Sequence, residues 1–501
     1  MNNTVELGEP APLPGIRTGP RSRTSPREPR PTHLQKGYAW QLRSFVLFVC
    51  AGYLVQGRAF AYLGVPGLYP GEALLLWAAL RREGGWWGTF RSELRAKPLL
   101  PLSLILFLAW GAIETLRGVG SGGSLEDSLR GIAAHYYPLL LYVGLSAARY
   151  ISFDLIREYF NKLNVLIGLA AVASALINDR YHSGLLLPWT KDVVLPGAPA
   201  LPCLAFVFAV AFARRNDVRF VIPCLIAMLA MLLGPRSSIL GGVAGLFVLL
   251  CRPKRWAMTA LLLAGAAGTF GFVSVLLPEF IPDFGGRVGA LTPARITARV
   301  TAIVDEDLAS KIASRSGEDD SFVETEAGSA EWRKTFWNGV IDSMATSSDW
   351  IIGHGYGFSL GSLMKGASGI DESLRTPHNF AIYLLGYTGL VGCAFYACIL
   401  LAFIAAVVRC PNSPIKDGII AGGLSVLVMA LSGNLFETPF GAVPSYLAFG
   451  ILLGLAREWK PTSSGRSSRS LASHPRPPRH LSAEAPPVSN SQVLLPSVSH
   501  L

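Results

Sequence analysis

Four polar residues interrupt or border the apolar stretches of this chain: Arg236, Arg333, His378 and Glu437. Arg236 stands in Gly234-Pro235-Arg236-Ser237-Ser238. Arg333 lies within a segment where Trp332, Phe336, Val340 and Met344 recur every fourth residue. His378 belongs to Arg375-Thr376-Pro377-His378-Asn379, just before a long apolar run. Glu437 belongs to Asn434-Leu435-Phe436-Glu437-Thr438-Pro439, between two more. Guanidinium groups clamp phosphate with a planar, permanently charged fork. A histidine takes a proton from a hydroxyl near neutral pH. Together they suit transfer from a phosphate-activated donor to an alcohol. The arginines would stabilise charge on a pyrophosphate leaving group, and the histidine would activate the attacking oxygen. Two arginines can do the neutralising, so no metal and no cofactor is required. Arg375, close to His378, is a further candidate phosphate contact. Taken singly, each residue has a plainer explanation. It could anchor the chain at the lipid headgroup level, or, for Arg333, snorkel from a helix surface.

Ile352-Gly353-His354-Gly355-Tyr356-Gly357 alternates glycine with larger residues. Such a segment adopts backbone conformations closed to other residues. It can present amides to a ligand or simply make a tight turn, and Tyr356 is counted as a supporting residue on the first reading. Asn379 is counted likewise, since a polar pair at the mouth of an apolar helix is costly to bury without a partner. The seven cysteines lie in or at the ends of apolar runs, with no CxxC and no HExxH, so the sequence offers no metal motif.

The elements that must position these residues are membrane helices. The chain has 501 residues, 51% hydrophobic and 15% charged, against about 25% charged in soluble domains. The charges crowd into the tails, one long loop and short junctions. Apolar runs fall near 43–57, 63–80, 98–116, 132–148, 160–178, 194–213, 219–234, 237–251, 256–277, 379–408, 417–433 and 440–456. The expectation is an all-α integral membrane protein with about 12 transmembrane helices. A large, partly helical periplasmic loop separates spans 9 and 10. Its parts are a disordered basic tail (1–40), spans 1–9 (41–278), the loop (279–377), spans 10–12 (378–457) and a second disordered basic tail (458–501). Within the loop, the acidic stretch from Ser314 to Glu326 reads as mobile, and a helix is expected from Ala330 to Met344, with Trp337 and Ile341 widening its apolar face.

Orientation follows from Lys and Arg. One set of junctions holds Arg81, Arg82, Arg91, Arg95 and Lys97; Arg149, Arg157 and Lys162; Arg214, Arg215 and Arg219; Arg252, Lys254 and Arg255; Arg409 and Lys416. The alternate set holds only Arg58; Arg117 and Arg130; Arg180 and Lys191; Arg236. Both termini then lie in the cytoplasm, and the four polar candidates share the opposite face. The net charge of +11 traces largely to the tails, which suits an anionic leaflet. No nucleic-acid recognition module is present, so nucleic acid is not expected as a partner.

The stretch from Pro377-His378-Asn379 through Gly386, Gly389 and Gly392 resembles the signature of the O-antigen ligase and O-antigen polymerase superfamily. Trp332-Arg333 through Trp337, followed by the Gly-x-Gly turn, is similar to that family's loop pattern, and Pro235-Arg236-Ser237-Ser238 to its arginine motif at the start of a span. The resemblance implies a GT-C-like membrane glycosyltransferase of the bacterial inner membrane, independent of metal, using an undecaprenyl-pyrophosphate-linked glycan. It implies His378 as base and Arg236 and Arg333 as pyrophosphate ligands. Glu437 is added from topology alone.

Three activities fit at this level. A polymerase would join lipid-linked repeat units into exopolysaccharide or O-antigen, alongside a chain-length regulator or flippase. A ligase would move finished glycan to lipid A core or to protein. A transporter or flippase would carry the polar residues near the midplane in two similar halves. No internal repeat is evident, and the polar residues gather at one face. The polymerase is favoured slightly, because nothing marks an acceptor other than sugar.

Overall fold

The computed structural model describes residues 33–64, 68–81, 85–187, 190, 193–213, 218–252, 259–260, 262–265, 267–268, 297, 301, 308, 311–312, 320–364 and 375–460. The fold is mostly helical. Six helices are long and apolar enough to cross a membrane: Gly37–Ala61, Leu99–Gly120, Phe153–Asn178, Phe380–Val408, Pro414–Ser432 and Pro439–Glu458. This is the make-up of a multi-pass membrane protein. In chain order the first helices are α1 (His33–Ala61), α2 (Pro70–Leu80), α3 (Trp86–Ala96), α4 (Leu99–Gly120), α5 (Leu125–Tyr136), α6 (Leu140–Ala148) and α7 (Phe153–Ser174). A two-stranded hairpin, β1 (Leu185–Leu186) with β2 (Val194–Leu195), precedes α8 (Pro202–Phe212), α9 (Val221–Leu233) and α10 (Arg236–Leu250). Then come α11 (Asp320–Asp342), α12 (Ser347–Ile352), α13 (Phe380–Val408), α14 (Pro414–Ser432) and α15 (Pro439–Glu458).

Three expected spans are broken, and proline explains each break. Within the run 63–80 a helix begins at Pro70, which occupies the first turn where its missing N–H is harmless. The run 132–148 is divided between α5 and α6 by a 3₁₀ turn at Tyr137–Leu139, because Pro138 cannot donate. The run 194–213 contains Pro196, Pro199 and Pro202, and its helix starts only at Pro202. At 1.5 Å per residue the 11-residue α2 and α8 reach about 16 Å, half the roughly 30 Å of a hydrocarbon core. The expected ninth span, 256–277, lies largely outside the described residues. So do most of the loop before residue 320 and the tails 1–32 and 461–501. Residues 33–40 are helical, so α1 begins earlier than expected. The acidic stretch is likewise helical from Asp320.

The bundle closes through small residues and aromatics. A methyl group on Gly144 of α6 would come 2.4 Å from Leu447 O of α15, and one on Gly450 of α15 would come 2.1 Å from Leu141 O. The two backbones therefore touch, as small-residue helix pairs do in membranes. All eleven residues of α8 are buried, with α7, α9, α10 and α14 around it. An apolar cleft of about 390 Å³ runs between α4, α6, α13, α14 and α15, from Val408 at one end to Phe436 and Tyr446 at the other.

A kink organises α13. Gly389 has φ 64° and ψ −167°, a region almost restricted to glycine. It separates a nine-residue head, 380–388, from a limb, 390–408, about 28 Å long and able to cross a membrane alone. The kink frees carbonyls that an unbroken helix would satisfy. His354 N–H donates to Gly386 O (2.9 Å), Gly355 N–H to Tyr387 O (2.9 Å) and Trp110 Nε1–H to Thr388 O (3.1 Å). The glycine-rich turn thus presents the amides of His354 and Gly355 to the kink of α13. Gly353, Gly355 and Gly357 take φ of 67°, 78° and 110°. Arg117 of α4 donates to Ile352 O (2.7 Å) and Gly353 O (2.8 Å) and pairs with Glu114, while Ser124 N–H donates to Gly357 O (3.0 Å).

Candidate functional site

The site is built around the start of α13. Asn379 is the N-cap. Its Oδ1 accepts from Ala381 N–H (2.9 Å) and Ile382 N–H (3.2 Å), satisfying two of the amides that a helix start leaves open. Its carbonyl side is therefore engaged in capping. His378 directly precedes the cap with φ 53°, uncommon for a residue with a side chain. Its half-buried imidazole lies edge-on to Trp332 (centroids 5.5 Å). The side-chain amide of Asn434 is hydrogen-bonded to its Nε2 (3.1 Å). With the amide oxygen of Asn434 turned towards Nε2–H, the ring would carry its proton there and leave the Nδ1 lone pair to take a hydroxyl proton.

Two other segments meet His378, and a third abuts one of them. Helix α11 brings Trp332 and, one residue on, the half-buried Arg333. It is fixed there by Trp337 Nε1–H, which donates to Pro377 O (2.6 Å), and by buried Phe336, Val340 and Met344. The four-residue stripe read from sequence is the buried face, but Ile341 is exposed and does not widen it. The turn between α14 and α15 brings Asn434. The start of α10 abuts that turn: a methyl group on Gly433 would sit 3.3 Å from Ser237 Oγ. Arg236, half-buried, is the first residue of α10. So the segment carrying Arg333 meets His378, and the turn that holds His378 meets the segment carrying Arg236, although all are far apart in sequence.

Glu437 occupies the same turn, with only 9% of its surface exposed. Neither carboxyl oxygen meets a hydrogen-bond partner of normal geometry among the described residues. Burial pushes its pKa up to about 8, against the pull of the amides of Glu437, Leu435 and Phe436. Phe436 beside it packs on Phe380 of α13 (5.3 Å), two residues after His378.

Two other candidates have structural partners. Arg375 Nη1 makes an ion pair with Asp127 Oδ1 of α5 (2.5 Å), and its Nη2 donates to Asp127 O (3.1 Å). Tyr356 is fully buried away from solvent, and its hydroxyl bonds His135 Nε2 (2.9 Å). His135 Nδ1–H donates to Phe107 O (2.8 Å), which leaves Nε2 as the acceptor for the tyrosine. Tyr356 therefore fastens the glycine-rich turn to α4 and α5. Sequence reading passed over Asn434, Asp127 and Trp332 as site residues. Asn434 stood in the quoted turn with Glu437, but nothing in the sequence says that the turn reaches the helix starting at 380.

Chemically, the arrangement offers an imidazole held by an amide and an aromatic edge, two half-buried guanidinium side chains on segments around it, and an apolar cleft lined in part by Phe436. Models of known protein families find no match in this chain, and comparison with curated proteins finds no relative.

Proposed function

We propose that this chain is a membrane glycosyltransferase of the bacterial inner membrane. It moves saccharide from an undecaprenyl-pyrophosphate donor to a hydroxyl acceptor at the periplasmic face, and it polymerises exopolysaccharide or O-antigen repeat units. The observation that carries the reading is the meeting of His378 with Asn434 and Trp332, beside the segments that bear Arg333 and Arg236. His378 takes the proton of the acceptor hydroxyl as that oxygen attacks the anomeric carbon. The bond from that carbon to the pyrophosphate oxygen breaks. Arg236 and Arg333 stabilise the charge left on the pyrophosphate. The apolar cleft suits the isoprenoid chain, because its Phe436 end adjoins the site. The plan of about twelve spans with both termini in the cytoplasm belongs to this reading, and the basic junctions support it.

The test is transfer by purified protein in lipid vesicles supplied with undecaprenyl-pyrophosphate-linked oligosaccharide. His378→Ala should abolish transfer and leave the protein's amount and thermal midpoint unchanged. Near-normal transfer by that variant removes the assigned base. Products lengthened by repeat units mark a polymerase; products appearing only when lipid A core is added mark a ligase.

A further inference from the structure

We propose that Glu437 is a substrate-facing group of this site, acting as a neutral carboxylic acid that donates a hydrogen bond to a phosphate oxygen of the donor. This rests on the function proposed above. Its basis is the placement of the side chain. Glu437 is nine-tenths buried, and neither oxygen has a partner of normal geometry among the described residues. A carboxyl buried with only poorly aligned amides of its own turn nearby is destabilising unless it is protonated or reserved for a ligand. It shares a six-residue turn with Asn434, which holds His378, and that turn abuts the start of α10 with Arg236.

The surroundings argue for the acid form. From α13, Tyr383 and Tyr396 face it, and the Tyr396 hydroxyl is paired with that of Tyr446 on α15 (3.1 Å). His378 and Arg375 precede α13, and Arg375 is paired with Asp127. Arg236 opens α10, and Arg333 comes from α11. Burial dominates the titration, and no charged side chain figures among the influences on it. The carboxyl is therefore protonated below about pH 8 and ionised above it. A carboxylate here would repel a pyrophosphate; a carboxylic acid gives it a proton to share. Bound donor should raise the pKa further, since the approaching charge is negative. His378 and Glu437 then divide the work. The histidine accepts a proton, while the glutamic acid is neutral and keeps one.

Three proteins test this: wild type, Glu437→Gln and Glu437→Met. Glutamine keeps a donor and cannot ionise; methionine keeps the length and has no donor. At neutral pH, Glu437→Gln should retain at least about half the transfer rate, and Glu437→Met should lose about tenfold or more. Wild-type transfer should fall as pH rises through about 8, and Glu437→Gln should lack that fall. Equal inactivity of the two variants, with thermal midpoints unchanged, would mean that the carboxylate is the working form and would overturn the proposal. Wild-type rates in both would also overturn it. An infrared difference spectrum, wild type minus Glu437→Gln, should show a carboxylic-acid carbonyl band at neutral pH that disappears in alkali. Its absence overturns the proposal whatever the activity. If wild type turns over no lipid-linked donor, the proposed function and the phosphate contact fail together, and the infrared band alone decides the acid form.

Discussion

Replacing Gly353 with alanine should both loosen the protein and slow the proposed transfer. At φ 67° a methyl group on Gly353 would lie 2.6 Å from Thr388 N, Gly389 N and Tyr387 C. These are backbone atoms of the α13 kink, so no side chain can yield. The backbone strain costs about 1–3 kcal/mol. Unseating the turn forfeits the amide bonds to Gly386 and Tyr387, each about 0.5–1.5 kcal/mol. The sum is roughly 2–6 kcal/mol. The catalytic effect follows from leverage. The head of α13 extends about 14 Å from Gly389 to Phe380, and His378 lies beyond its tip. A rotation of about 5° at the kink carries that tip about 1 Å, and displacements of that size can cost about 100-fold in rate. The assay pairs the thermal midpoint with the transfer rate, using Gly88→Ala in α3 as control, because nothing lies within 4 Å of a methyl group there. A Gly353→Ala protein with wild-type midpoint and rate, or a control equally damaged, would refute the reasoning.

Two further outcomes are expected. Arg117→Met leaves Glu114, only 1% exposed, buried without its cation and should destabilise by about 3–5 kcal/mol; adding Glu114→Gln should recover part of the thermal midpoint. Arg375→Ala and Asp127→Asn should behave alike, with a modest loss of stability and the donor KM unchanged. A raised KM in Arg375→Ala alone would show instead that this arginine reaches the pyrophosphate.

The sequence was most legible where a single physical rule governs. Runs such as 98–116 and 379–408 had the length and apolarity of membrane helices, and both are helices. The stripe of Phe336, Val340 and Met344 is buried as its spacing requires. Proline was underweighted: Pro138 and Pro202 reset helix starts inside runs whose hydropathy looks continuous. The residues flanking His378 were legible only in part. Their types were evident, but contacts such as Asn434 to His378 or Asp127 to Arg375 join residues 56 and 248 positions apart, and no local pattern encodes them. The glycine-rich turn illustrates the limit best. Its backbone freedom could be read from composition, but its partner, a second glycine-marked kink at Gly389, appears only when the two segments are seen in contact.

Helix α8 carries a consequence for biogenesis. It has no face left for lipid, yet one of its main neighbours, α14, is translated about two hundred residues after it. When α8 first leaves the insertion machinery, acyl chains must cover the side that α14 later takes. Its uniformly apolar sequence makes that interim solvation favourable. The bundle can therefore expel its last internal lipid only when the C-terminal helices arrive, and a chain halted before them would hold α8 as a solvated helix in the bilayer.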